Sequence, residues 1–578
     1  MSTYNKKPFF PIAGKAFTDW KAIIEELNTK IKNSNRYVLV IECYQGVNHD
    51  ELINGFSSLD CNMFINSEEA FYSEEKINEL TYSDVTDDAI FGFITRLNYI
   101  DFLDPEKVGA FRSKIKMATG LIVVYGHAAA LIAEEYDCLV YADMARWEIQ
   151  LRQRNHEINN IGLRNSDEEP GIQYKRGYFV DWRVCDRLKQ QLFEKADYWL
   201  DTNKKNVPKM IAAKSLLDGL TAISKSPFRV VPYFDPGPWG GQWMKEVIGL
   251  DKSKSNYAWS FDGVPEENSL LFEVDGEIVE IPSINLVFYK SKELLGEPVE
   301  SRFGKEFPIR FDFLDTMDGG NLSLQVHPTT QYIREKFGMN YTQDESYYML
   351  DAKQGATVFL GLKKGCDNQE MINDLKEAQK TGDVFDAEKY VNVFPAKKHD
   401  HFLIPNGTIH CSGTNGMVLE ISATPYIFTF KLYDWGRMGL NGKPRAINIA
   451  HGEKVIDWSR DTDYCIENLV NQIEQVAEGE GWREERTGLH KTQFIETRRH
   501  WFTKPVLHQT GDSVNVLNLV EGAEAIVESP THAFKPFLVH YAETFIVPAA
   551  VGEYTIRPFG AGEGSECATL KAYVRYKT

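Results

Sequence analysis

The apolar patterning of this chain changes character near residue 225, and that change limits the folds open to it. Before it, RYVLVIECY (36–44), GLIVVYG (120–126) and DCLVYAD (137–143) are continuous apolar runs rich in β-branched residues. Such runs suit strands buried on both faces of a parallel sheet. Between and after them come charged amphipathic stretches, ARWEIQLRQRNHEI (145–158) and CDRLKQQLFEKADYWLD (185–201), each predicting a helix. Strands and helices in alternation predict a layered α/β unit. Past the change, Pro and Gly cluster in SPFRVVPYFDPGPWGGQW (226–243), and short strands with turn signals follow. Asp275-Gly276 lies between two alternating runs in SLLFEVDGEIVEI (269–281), which predicts a β-hairpin. NQEMINDLKEAQKTGDVFDAEKY (368–390) predicts a helical insertion among strands, and a helical stretch around 458–480 precedes a last β-rich segment.

With 578 residues the chain is long enough for three or four compact units. The expected organisation is multidomain: an α/β three-layer domain over 1–205, a linker over 206–225, a β-barrel domain with a helical insertion over 226–485, and a second β-barrel over 486–578. Sixty-four Lys and Arg against eighty-three Asp and Glu leave a formal charge of −19. That balance excludes a general polyanion binder, so neither nucleic acid nor an anionic membrane is an expected partner. Any phosphate recognition must be local. The eight cysteines include no C-x-x-C pair and are too sparse for a disulfide framework. The apolar stretch 120–133 is broken by His127 and shorter than the ~20 residues of a membrane span. The first residues contain no signal-peptide h-region, so the expected address is the cytoplasm.

The richest chemistry lies between residues 321 and 437. Gln325 and His327 stand two apart in NLSLQVHPTT, so both project to one face of a strand. Glu345 opens the strand-like ESYYMLDA, and His410 follows the turn in LIPNGTIHC. Two imidazoles, a carboxylate and an amide oxygen form a coherent donor set for one divalent ion with positions left open. Residue types alone leave a second account standing, in which the two histidines are hydrogen-bonded members of a barrel core.

The wording of these segments resembles the type I mannose-6-phosphate isomerases. LSLQVHP, the E-S-Y-Y-x-L strand, IPNGTIHCSG, VLEI, YDWGR, GKPRAINIAH, the earlier PYFDPGPWGGQW and the later FIVPAAVGEYTI carry the resemblance over about 230–578. It implies two cupin barrels and one Zn2+, or another divalent metal, held by Gln325, His327, Glu345 and His410. It also implies interconversion of mannose 6-phosphate and fructose 6-phosphate by C1–C2 proton transfer through a cis-enediol, with a small phosphorylated sugar as partner. Three positions depart from the family's pattern. Gln343 stands where a lysine is common, Lys431 where an arginine is common, and Ile427 near the register of an acidic residue. Lys431 keeps a cation without the bidentate fork. Lys431 and Arg437 are the expected phosphate or enediolate partners, and His401, in HDHFLIP, is a candidate replacement base. The competing functions are a non-catalytic sugar-phosphate-binding or regulatory protein retaining the metal site, and a bifunctional kinase–isomerase.

At the front, YVLVIECYQGVNHDEL (37–52) has the strand–turn–helix order of a phosphate-binding loop. The matching register offers Gly46, Asn48, His49 and Asp50, without the lysine and hydroxyl that position phosphates and magnesium. The order of elements over 121–155 is similar to uridine-kinase-like P-loop proteins, which implies a degenerate P-loop-like domain. A phosphotransferase would use Arg146, Arg152 or Arg154 on the nucleotide; with the loop disarmed, nucleotide binding is not expected there. Oligomeric state is not legible.

Overall fold

A computed structural model describes residues 3–31, 35–423, 428–437, 447–488, 490 and 492–575. The chain is mixed α/β and builds several sheets rather than one. In the front segment Arg36–Cys43, Met63–Asn66, Gly120–Gly126, Cys138–Asp143 and Tyr198–Asp201 pair in parallel. Across the sheet Gly120–Gly126 lies between Met63–Asn66 and Arg36–Cys43, with Cys138–Asp143 and Tyr198–Asp201 beyond. The central strands are buried on both faces, as their unbroken apolar runs require.

Two boundaries differ from the sequence reading. Tyr198–Asp201 is a strand, not the end of a helix, because the amphipathic helix closes at Leu192 and the apolar YWLD pairs with Cys138–Asp143. Residues 206–225 are not a linker. Strand Lys209–Ala212 adds antiparallel to that sheet and helix Ala213–Ile223 packs its apolar side inward. Beyond that helix, Ser269–Val274 and Glu277–Pro282 form the expected hairpin, and Asp275 and Gly276 take φ of 55° and 80° in its two-residue turn. The hairpin also pairs in parallel with Phe10–Ile12, so the first strand of the chain joins a sheet made mostly from residues after 268.

The middle of the chain makes a six-stranded and a five-stranded sheet, with helix Asn368–Thr381 inserted between strands as expected. A second pair, six- and four-stranded, ends the chain and shares its own apolar core around Phe502, Leu517, Phe545 and Ile556. That last pair begins earlier than residue 486. Strands Glu474–Gly479 and Trp482–Gly488 belong to it, and the helix expected around 458–480 is confined to Thr462–Asn468. All eight cysteines are free, and among the described residues no helix is long and apolar enough to cross a membrane.

Candidate metal centre

The five-stranded sheet brings three expected residues onto one face. Gln325 pairs with His410 on one neighbouring strand and with Lys431 on the other. Residues directly opposite on antiparallel strands project the same way. His327 follows Leu324–Val326 directly, and Glu345 opens Glu345–Ala352 in the facing six-stranded sheet. The side chains meet in the interior between the two sheets. His327 Nε2 lies 3.0 Å from Glu345 Oε2, and His410 Nε2 lies 2.8 Å from Glu345 Oε1. The Gln325 amide is 3.3 Å from His410 Nε2. All four residues are buried.

The rings are aimed from behind. His327 Nδ1 lies 3.0 Å from the Phe428 carbonyl and His410 Nδ1 2.9 Å from the Thr408 carbonyl. A carbonyl only accepts, so each Nδ1 carries the hydrogen and each Nε2 lone pair faces Glu345. Two lone pairs against a buried anion repel unless protons or a cation lie among them. A divalent ion would satisfy all three groups together, and the donor set suits one. Burial alone raises the Glu345 carboxyl; the two imidazoles, when protonated, outweigh it and hold the carboxyl well below its ordinary range. Gln343 closes the arrangement. Its amide nitrogen donates to Glu345 Oε2 at 2.9 Å and its oxygen accepts from Phe428 N at 2.7 Å.

The sequence reading missed a polar row on the same interior face. Glu420 stands opposite Tyr347 on one side and Asp312 on the other. Arg310 donates to Asp312, and the Ser422 hydroxyl donates to Glu420. Burial, with the charges of Glu345 and Asp312 adding to it, pushes the Glu420 carboxyl well up, and burial pushes Asp312 up to about 6 against the pull of Arg310. A signal existed: Arg310 and Asp312 alternate with Phe311 and Phe313, so one face of an apolar strand is charged.

Lys431 borders a cavity of about 380 Å³, together with Thr429, Phe261, Tyr233, Trp147 and Arg154. The last two come from helix Arg146–Arg154, so the front segment supplies part of its wall. Arg437 lies just past strand Phe430–Tyr433, where its Nη1 is 3.3 Å from Asp434 Oδ1. His401 is not brought to the cluster. It pairs with Tyr348, and Tyr348 points away from the face that carries Glu345 and Tyr347. Its ring is fully buried there, and burial pushes its pKa down to about 3. As a base beside the metal ligands it is misplaced by the two-residue period of the strand. Ile427 lies outside the described residues.

At the front, Asn48 caps helix His49–Phe56 by accepting from Glu51 N. The three arginines of helix Arg146–Arg154 are engaged within the protein. Arg146 is buried against Asp186 and Glu266, Arg152 donates to the carbonyls of Gly46 and Thr202, and Arg154 pairs with Asp235 at 3.1 Å.

Comparison with known proteins places these two regions differently. A family model described as a domain of unknown function (DUF8485) matches residues 19–225. The chain is 26% identical over 220 residues to a mannose-6-phosphate isomerase of Streptococcus mutans, a match covering 38% of this chain and 64% of that relative. It is 27% identical over 235 residues to the probable mannose-6-phosphate isomerase GmuF of Bacillus subtilis, covering 40% of this chain and 68% of that one. Among solved structures, the mannose 6-phosphate isomerase from Bacillus subtilis matches with a TM-score of 0.49 and 18% identity, over 60% of this chain and all of that chain. The chain thus has homology to mannose-6-phosphate isomerases over roughly 40% of its length.

Proposed function

We propose that this protein is a metal-dependent sugar-phosphate isomerase interconverting mannose 6-phosphate and fructose 6-phosphate. The observation that carries the reading is Glu345 held between the Nε2 edges of His327 and His410, with Lys431 in register beside Gln325. The relatives' names point to the same substrate. Gln325, His327, Glu345 and His410 would hold one Zn2+ or another divalent ion. When bound, that ion supplies Lewis-acid stabilisation of oxygen charge during the C1–C2 proton transfer. Lys431 offers a cation to the enediolate or the phosphate from the same sheet face, and Arg437 adds a second at the strand's end. The migrating proton needs a group that holds and releases it. Glu420, whose carboxyl burial pushes well up on the interior face, is the group we read in that role.

One observation favours a second reading, a non-catalytic sugar-phosphate binder. Gln343 carries no titratable proton, and both ends of its amide are committed to Glu345 and Phe428. Metal content and the conversion of mannose 6-phosphate, followed with and without chelator, separate the two. The isomerase reading expects turnover that chelation abolishes and zinc restores. A zinc-loaded protein no faster than a His327→Ala/His410→Ala control would end it in favour of the binder. The front segment is read as taking no part in phosphoryl transfer; saturable thermal stabilisation by ATP or GTP with magnesium would overturn that.

A further inference from the structure

A second group of metal-ligating side chains lies in the front segment, apart from the centre described above. His49 is the first residue of helix His49–Phe56, Glu68 lies in the short turn Ser67–Ala70, and His127 directly follows strand Gly120–Gly126. These positions follow Arg36–Cys43, Met63–Asn66 and Gly120–Gly126, three adjacent parallel strands. All three residues therefore sit beyond the carboxyl ends of the strands, where open α/β sheets bind their ligands.

Their spacing is that of ligands around an ion rather than of hydrogen-bond partners. Glu68 Oε1 lies 3.5 Å from His127 Nε2 and 3.8 Å from His49 Nε2, and the three donor atoms fall within 4.8 Å of one another. Donors bound at 2.0–2.1 Å in a tetrahedron stand roughly 3.3 Å apart, whereas N–H···O partners prefer about 2.9 Å. His49 Nε2 is buried and has no hydrogen-bond partner among the described residues. His127 Nδ1 lies 3.0 Å from the Cys43 carbonyl, so it carries the hydrogen and leaves the Nε2 lone pair for the cluster.

The backbone presenting His127 is held in a costly shape. Ala128 takes φ of 60°, a conformation worth about 1–3 kcal/mol of strain in a residue that is not glycine. Buried Glu42 stabilises it by accepting from the amides of Ala128 and Ala130, each at 2.8 Å. The Ser67 hydroxyl reaches the carbonyls of both Tyr125 and His127, tying the turn that carries Glu68 to the strand that delivers His127. This strain, kept by several buried hydrogen bonds, falls at the point where the three donors converge.

We propose that His49, Glu68 and His127 form a second divalent-metal site, of the two-imidazole, one-carboxylate type that keeps a position open for water or an anionic ligand. Glu68 and His49 keep partial access to solvent, which provides that open side.

The test is metal stoichiometry on the full chain. Protein stripped with a chelator is titrated with Co2+, read by its visible absorption, and with Zn2+, read by elemental analysis. The proposal expects the His327→Ala/His410→Ala variant to keep one equivalent per chain. It also expects His49→Ala/His127→Ala to bind one fewer equivalent than the unmodified chain. Glu68→Gln, a nearly isosteric change at a partly exposed side chain, guards against loss of folding and should weaken that equivalent at least about tenfold. A His327→Ala/His410→Ala protein that binds no metal would overturn the site. So would a folded Glu68→Gln protein that takes up metal as the unmodified chain does.

Discussion

Gln343 and Phe428 are joined by a 2.7 Å hydrogen bond from the Phe428 amide to the Gln343 side-chain oxygen, and both also touch the candidate metal ligands. Phe428 accepts from His327 through its carbonyl, and Gln343 donates to Glu345. The two ligands are thus oriented by one chain of hydrogen bonds that runs through Phe428 and Gln343. Truncating Gln343→Ala leaves a buried backbone amide unpaired, a loss of about 1–3 kcal/mol. It also frees Glu345 to turn, which should weaken metal binding roughly 10–100-fold. Urea denaturation reads the first effect and metal titration the second.

Lys431 tests the proposed chemistry apart from metal binding. Lys431→Met should keep its metal while kcat/KM for mannose 6-phosphate falls roughly 100-fold, the scale seen when one charge-stabilising donor is lost. Lys431→Arg should retain part of the activity because the cation remains. Equal losses in both variants would assign Lys431 to packing.

His401 gives the fold a pH dependence of known sign. Its pKa is about 3 in the folded protein, against an ordinary value near 6.5 in an unfolded chain. The unfolded state therefore binds the proton first, and stability that is complete above pH 6.5 is lost as pH falls towards 3. At pH 5 this single group removes about 2 kcal/mol relative to pH 8. Comparing unfolding midpoints of the unmodified chain and His401→Phe across that range isolates it: the gap between them should shift in favour of the variant as pH falls.

Arg146 sits between Asp186, at 2.5 Å, and Glu266, and is almost completely buried. Arg146→Met leaves both carboxylates in the interior, with Arg183, at 3.0 Å, the cation that stays beside Glu266. A loss of about 3–5 kcal/mol follows from an uncompensated buried charge. Glu266 belongs to the segment after the front sheet, so limited proteolysis should also release the front segment faster than from the unmodified chain.

The legible parts of this molecule were those with a local period. Unbroken apolar runs marked the parallel strands, the Asp275-Gly276 pair marked its hairpin, and the spacing of Gln325 and His327 placed both on one face. His401 was misread because spacing along a strand says which residues share a face but not which face meets the opposite sheet. YWLD (198–201) was lost to the helix before it because a short apolar run reads equally well as either element until its partner strand is known. The front cluster was invisible for a different reason. Its ligands lie on three separate connections, and only the crossing order of the parallel sheet makes His49, Glu68 and His127 neighbours.

The pairing of Phe10–Ile12 with the hairpin strand Ser269–Val274 bears on how the chain is made. Tyr4 hydrogen-bonds to Asp262, 258 residues further along. On the ribosome, this opening stretch emerges long before its partners, so it waits unpaired while the front sheet assembles behind it. Docking it is a late, long-range closure, the slow kind of step in folding. Until Ser269–Val274 has been made, the backbone groups of Phe10–Ile12 lack the partner strand they have in the folded chain.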